Sequence, residues 1–155
     1  MQIIKDKVII EDDWIHYTGE GDLPEGNLIV SLETWQNGGL SGRKIGLRLE
    51  PGDSLKAIKD DLDRFDLIAI NFPTFNDGRG YSLAKILRDR LGYKQEIRAI
   101  GDIMRDQLFY MQRCGFNAYE IKAGGNITDA LKAFEDFSVK YQVSSDEASP
   151  LYRRK

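Results

Sequence analysis

The sequence predicts an α/β fold, a parallel sheet of about five βα units preceded by a small β-hairpin. Three observations carry this expectation. Short continuous apolar runs recur along the chain, and each leads into a stretch of helical periodicity. Such runs, lacking strict alternation, are the mark of parallel strands covered on both faces. The chain has 155 residues, 41% hydrophobic and 30% charged, which suffices for one domain with a substantial core. We assign residues 1–145 to a single α/β domain and 146–155 to a mobile polar tail.

The elements follow in order. Gln2–Lys5 and Val8–Glu11 pair as a hairpin around Asp6-Lys7, although the turn lacks the Asn-Gly signature. Residues Gly19–Gly26 (GEGDLPEG) form a loop. LIVS (Leu28–Ser31) then leads into LETWQN, and KIGLRL (Lys44–Leu49) leads through Pro51-Gly52 into a helix SLKAIKDDLDRF. That helix would be capped by Ser54, with Leu55, Ile58 and Leu62 on its inner face. LIAINF (Leu67–Phe72) leads into SLAKILRDRL, where Leu83, Leu87 and Leu91 align inward and Lys85, Arg88 and Asp89 take the outer face. EIRAIG (Glu96–Gly101) leads into MRDQLFYMQRC, and NAYEIK (Asn117–Lys122) into NITDALKAFEDFSVKY, capped by Asn126 or Thr128.

Two architectures fit. The preferred one is an open, flavodoxin-like sheet; the alternative is a partial (β/α) barrel, since five units are too few to close an eightfold one. In both, ligands bind at the carboxyl ends of the strands.

Composition excludes several function classes. A net charge of −3 argues against non-specific nucleic-acid binding. No apolar run is long enough to span a membrane, and MQIIKDKVII lacks the features of a signal peptide, so a cytoplasmic protein is expected. With Cys114 the only cysteine and His16 the only histidine, an intrachain disulfide, a four-cysteine iron–sulfur cluster and a Cys/His zinc site are all ruled out. Cys114 precedes a helix-ending Gly115 and reads as a packed thiol. Trp14, Trp35 and His16 read as packing residues.

The chemistry-bearing candidates lie on the predicted rim. In FPTFNDGRGYS, Asp77, Gly78, Arg79, Gly80 and Ser82 form a turn before a helix, where a small oxyanion could meet Arg79 and free backbone N–H groups. The competing reading is plain turn chemistry with Arg79 paired to Asp77 or Asp102. Asp102 stands at the end of the next strand as a candidate acid or base. Arg105 sits in a helical first turn, where the dipole disfavours a cation, and its alternative is an ion pair with Asp102.

The segments FPTFNDGRGYSLAKILRDRLGY, EIRAIGDIMRDQLFYMQRCGF and PLYRR closely resemble a bacterial family of uncharacterised proteins, domain of unknown function nine-thirty-four. The pattern matches at Phe72, Pro73, Asp77, Gly78, Arg79, Gly80, Ser82, Arg88, Arg98, Gly101, Asp102, Asp106, Gln107, Arg113, Gly115 and Phe116. Members of that family are encoded beside sulfite reductase and labelled probable oxidoreductases of sulfite reduction. The resemblance therefore implies an accessory role in sulfate assimilation, with sulfite reductase or another enzyme of that pathway as partner, or a small sulfur oxyanion as ligand. It adds weight to the anion reading of Asp77–Ser82. The tail residues Leu151, Tyr152 and Arg153 would supply apolar and cationic contacts to such a partner. No redox motif supports the oxidoreductase label. Flavin mononucleotide would suit the switch point of a flavodoxin-like sheet, but SLETWQNGG offers no phosphate loop, so no cofactor and no metal is assigned. The alternatives are a small enzyme acting on a phosphorylated or sulfated metabolite at the strand edge, and a purely structural subunit.

Overall fold

The computed structural model describes residues 1–40, 42–122 and 125–144. Its eight strands are β1 (Gln2–Lys5), β2 (Val8–Glu11), β3 (Ile15–His16), β4 (Leu28–Ser31), β5 (Ile45–Leu49), β6 (Leu67–Phe72), β7 (Glu96–Gly101) and β8 (Ala118–Tyr119). They form one sheet in the order β2-β1-β8-β7-β6-β5-β4-β3. Strands β3 to β8 are parallel; β1 runs antiparallel to both β8 and β2. The helices are α1 (Leu32–Asn37), α2 (Arg79–Lys85), α3 (Leu108–Cys114) and α4 (Ile127–Ser144). A π-helical turn, Ile86–Arg90, continues α2, and a 3₁₀ turn, Arg105–Gln107, precedes α3.

From β3 to β8 the spatial order follows the chain order without reversal. Right-handed crossovers in such a sheet put every helix on the same face. The packing agrees. Strand residues such as Leu47, Ile70 and Ala99 share a core with Leu83, Leu87, Leu108, Met111 and Phe134 of the helices. On the other face Ile29, Leu67, Ala69 and Ile100 cluster with Trp14 and no helix. The sheet curls into a half-barrel, so the partial-barrel alternative describes it better than the flavodoxin-like reading. The switch point invoked for flavin is not formed, because strand order nowhere reverses among β3–β8.

A short strap accounts for the curl. The Asp12 N–H still bonds Met1 O at 2.8 Å, extending the hairpin, while the Ile15 N–H already bonds Asn27 O at 2.8 Å beside β4. These residues belong to opposite edges of an eight-stranded sheet. Three peptide steps reach only about 10 Å, whereas eight flat strands would span about 34 Å. The edges must therefore approach one another, and Asp13-Trp14 crosses the concave side.

The hairpin and the strands β4, β6 and β7 fall on the residues predicted for them. Three expectations are corrected. SLKAIKDDLDRF forms two 3₁₀ turns, Leu55–Ala57 and Leu62–Arg64, instead of one helix. Asp60, Asp61 and Asp63 are poor helix formers because their carboxylates compete for backbone groups; Ile58, Leu62 and Phe65 are buried nonetheless. Helix α2 starts at Arg79, so Ser82 lies exposed within the helix and not in the turn before it. Arg88 is half-buried, not on the outer face: it donates to Gly115 O (2.9 Å), Tyr93 O (2.9 Å) and Gln95 O (2.7 Å), tying the loop before β7 to the loop before β8. The two-residue strand β3 was not foreseen. Residues 146–155 lie outside the described residues.

Gly101 ends β7 with φ +93°, which lets the next N–H, of Asp102, bond back to Phe72 O at 2.8 Å. A Cβ there would meet Phe72 O at 2.5 Å and also Asn71 Oδ1. Gly101→Ala is expected to lower stability by about 2–4 kcal/mol through backbone strain and overlap. A urea midpoint unchanged from wild type would contradict this role for the glycine.

Candidate functional site

The concave face holds charge where a barrel ordinarily holds apolar layers. Arg98 of β7 is 1% exposed. It donates to Asp12 through Nη1 (3.0 Å) and Nη2 (2.8 Å), to Glu96 through Nε (2.7 Å), and to Glu120 through Nη1 (2.8 Å). Lys5 Nζ reaches Glu96 at 3.1 Å, and His16 Nε2 lies 2.8 and 3.0 Å from the two oxygens of Glu120. Strand alternation explains the grouping. Glu96 and Arg98 alternate with Ile97 and Ala99, which face the helices. Glu120 follows β8 in the same phase, and Asp12 arrives on the strap. His16 comes from β3, five strands away in the sheet, so its contact with Glu120 spans the concave side.

The electrostatics favour ionised partners. Burial pulls the Arg98 guanidinium down, but the bonds from Asp12, Glu96 and Glu120 outweigh it, and its pKa is raised. Burial pushes Glu120 up, yet hydrogen bonds from His16 and Arg98 prevail and hold it below the usual glutamate value. An imidazole held by a carboxylate that is itself held by an arginine is an oriented group suited to proton transfer.

The predicted rim residues are placed as follows. Arg79 Nε and Nη2 grip Asp77 at 3.0 and 2.7 Å, and the Arg79 N–H also bonds Asp77 Oδ1 at 3.1 Å. The hydrogen bond from Arg79 holds the Asp77 carboxyl below its ordinary range. Gly78 is open to solvent, and Gly80 is pressed on Phe72, whose ring would lie 2.7 Å from an added Cβ. Asp102 pairs with Lys122 at 2.5 Å and accepts the Phe75 N–H at 3.1 Å; the Lys122 bond lowers its pKa. Arg105 faces Asp129, not Asp102, with Nε 3.2 Å from the carboxylate. Arg48 lies 3.5 Å from Glu50, which also accepts from Asn71 at 2.8 Å. Asp77–Ser82 and Asp102 thus sit on neighbouring rim loops, joined through Phe75, while Arg105 turns to α4. Leu151, Tyr152 and Arg153 lie outside the described residues.

Gln107 organises this rim. Its Oε1 accepts the Met104 N–H at 2.9 Å and its Nε2 donates to Phe75 O at 2.5 Å. Nearby, the rings of Tyr81 and Tyr110 meet at a tilt with centroids 5.0 Å apart. Phe75, Met104 and Tyr110 are nevertheless 48%, 44% and 55% exposed. Rigid loops therefore present large apolar side chains to solvent. Cys114 is buried, and burial raises its thiol pKa, as expected for a packed residue beside the Gly115 cap. Among the described residues no cluster of three or more His, Cys, Asp or Glu is arranged to hold a metal ion, and no helix is long and apolar enough to cross a membrane.

Sequence reasoning passed over Asp12, His16, Glu96, Arg98 and Glu120 as site residues. The available signal was the charged residue at every second place in EIRAIG, which a strand covered by apolar layers on both faces would not carry.

A family model described as bacterial protein of unknown function (DUF934) matches residues 46–152, and the chain belongs to this family. No curated protein matches it. The matched span holds Glu96, Arg98 and Glu120, while Lys5, Asp12 and His16 come from the segment before it.

Arg98→Met leaves three buried carboxylates without their main partner and is expected to cost about 3–5 kcal/mol in urea unfolding. Arg98→Lys should rescue little, because an ammonium cannot reproduce the fork. Full stability in both variants would contradict the network. Glu120 also predicts a pH dependence. Its folded pKa lies below the unfolded value of 4.5, so the unfolded chain binds the proton first. Its contribution is complete above 4.5 and declines as pH falls through the lowered folded value. Unfolding followed from pH 7 to 3 should show a smaller acid loss in Glu120→Gln than in wild type.

Proposed function

We propose that this protein is an accessory component of bacterial sulfite reduction that docks on a partner enzyme of the pathway and carries no redox centre of its own. The pathway rests on the family resemblance. The mode of action rests on one observation: the rim loops present Phe75 and Met104 to solvent on cross-tied backbone, while the rim cations Arg48, Arg79, Arg105 and Lys122 each face a carboxylate of the same chain. An oxyanion would have to displace those carboxylates, whereas exposed aromatic and methionine side chains on rigid loops are what protein interfaces use. The second reading, a small enzyme acting on a phosphorylated or sulfated metabolite at the strand edge, is favoured by the oriented His16–Glu120 pair. There His16 replaces Asp102 as the proton-transfer group, since Lys122 stabilises ionised Asp102 and makes it a weak base.

Binding of the purified chain to sulfite reductase from the same bacterium tests the first reading. We expect saturable binding, weakened at least about tenfold by Phe75→Ala, the scale of an interface anchor, and little changed by Arg79→Ala. Absence of binding would sink the docking role. Loss with Arg79→Ala alone would restore the anion reading of Asp77–Ser82.

A further inference from the structure

The β5–β6 crossover interrupts the layer of helices. It forms two 3₁₀ turns, Leu55–Ala57 and Leu62–Arg64, where the crossovers on either side carry α1 and α2. A groove of ≈ 480 Å³ lies between the first of these turns and α2 with its π-helical continuation. Leu55, Leu83, Ile86 and Leu91 give it an apolar floor, and Lys56, Lys59 and Arg90 a cationic margin. The wide π turn places Ile86, Arg90 and Leu91: the Leu91 N–H bonds Ile86 O, five residues back, at 3.0 Å. Such turns are rare and recur at functional positions.

The three cations set the groove apart from the rim. Arg48, Arg79, Arg105 and Lys122 each face a carboxylate. Lys56, Lys59 and Arg90 are exposed, and among the described residues none of their side chains forms an ion pair. No carboxylate lines the groove. In a chain of net charge −3, three unpaired cations around one apolar strip are complementary to acidic groups. The aliphatic residues lie lower: Leu83 is buried, and Leu55, Ile86 and Leu91 are half-buried. Side chains so recessed cannot enter a lipid layer as those of a membrane anchor do; they receive side chains instead. An extended peptide would need backbone partners that this lining of side chains lacks, whereas a helix satisfies its own backbone. We propose that the groove binds an acidic amphipathic helix of a partner protein, its apolar face on Leu55, Ile86 and Leu91 and its carboxylates on Lys56, Lys59 and Arg90. The lining includes neither Phe75 nor Met104, and the proposal does not rest on docking at the rim.

The test is fluorescence anisotropy of the full chain with a labelled synthetic peptide of about 18 residues, long enough to form a helix. It carries leucines at i, i+3, i+4 and i+7 and glutamates on the flanking positions. We expect saturable binding that weakens as salt rises. Lys56→Glu, Lys59→Glu and Arg90→Glu together should weaken it at least about tenfold. That variant should instead bind the same peptide with lysines in place of the glutamates. Lys44→Glu, Lys94→Glu and Lys132→Glu reverse three exposed cations outside the groove; together they make the same change in net charge and should alter affinity less than about twofold. Ile86→Gln retains a good helix former, removes part of the apolar floor and should also weaken binding. Four results would overturn the proposal: no saturable binding of the acidic peptide, equal binding of the lysine peptide by wild type, equal loss in the two charge-reversed variants, or sedimentation with phosphatidylcholine–phosphatidylglycerol vesicles that the groove reversal abolishes.

Discussion

Arg98 is the group on which the structure turns. A guanidinium 1% exposed cannot be left unpaired, because desolvation without compensation costs several kcal/mol. Its partners come from three places: Glu96 on its own strand, Glu120 just past the neighbouring strand, and Asp12 on the strap between the two sheet edges. Only a curled sheet brings Asp12 to it. The ion pair and the curvature are therefore one constraint, and the hairpin, strap and β3 are held to the family-matched part of the chain through charge on the concave side.

This arrangement divides the work between the two faces. Helices cover the convex face with a continuous apolar core, where Leu87, Leu108 and Met111 are fully buried. Among the described residues no helix covers the concave face, and Trp14 packs on Ile29, Leu67, Ala69 and Ile100 beside the ionic cluster. Gly46 leaves room there for Leu67 and Ile29, whose carbons lie 2.9 and 3.1 Å from where a Cβ would stand. The hydrophobic effect supplies bulk stability on one side. On the other, five charged groups and an imidazole set geometry, since each must find its partners or remain costly.

How much of this was legible in the sequence depended on the range of the interaction. Strands β4, β6 and β7 were readable to the residue because continuous apolar runs and flanking turns are local signals. The Ser54, Asn126 and Gly115 caps were legible for the same reason. The strap was not: Asp12 and Trp14 look like ordinary loop residues, and their partners lie about ninety and fifteen or more positions away. His16 carried no local sign of its bond to Glu120. SLKAIKDDLDRF misled in the opposite direction, since its apolar spacing suits a helix while its aspartates do not. In the Asp77–Arg79 turn the local alternative, a side chain closing on its neighbour, is the geometry found; this leaves the residue types of an anion site without their charge turned outward.

The rim has the character of a prepared surface. Loops that move lose affinity to ordering when they bind. Here the loop after β6 is clamped at Phe75 from both sides, its N–H by Asp102 and its carbonyl by Gln107, and Asp102 is in turn clamped by Lys122. Gln107 also fixes the start of the next loop at the Met104 N–H. Backbone contacts of this kind leave the side chains of Phe75 and Met104 outward without relying on their own packing. Truncating either residue would remove contact area without releasing the loop. A weakened Gln107 clamp would instead leave the area intact and restore the ordering cost, so the two kinds of change separate contact from preorganisation at the same surface.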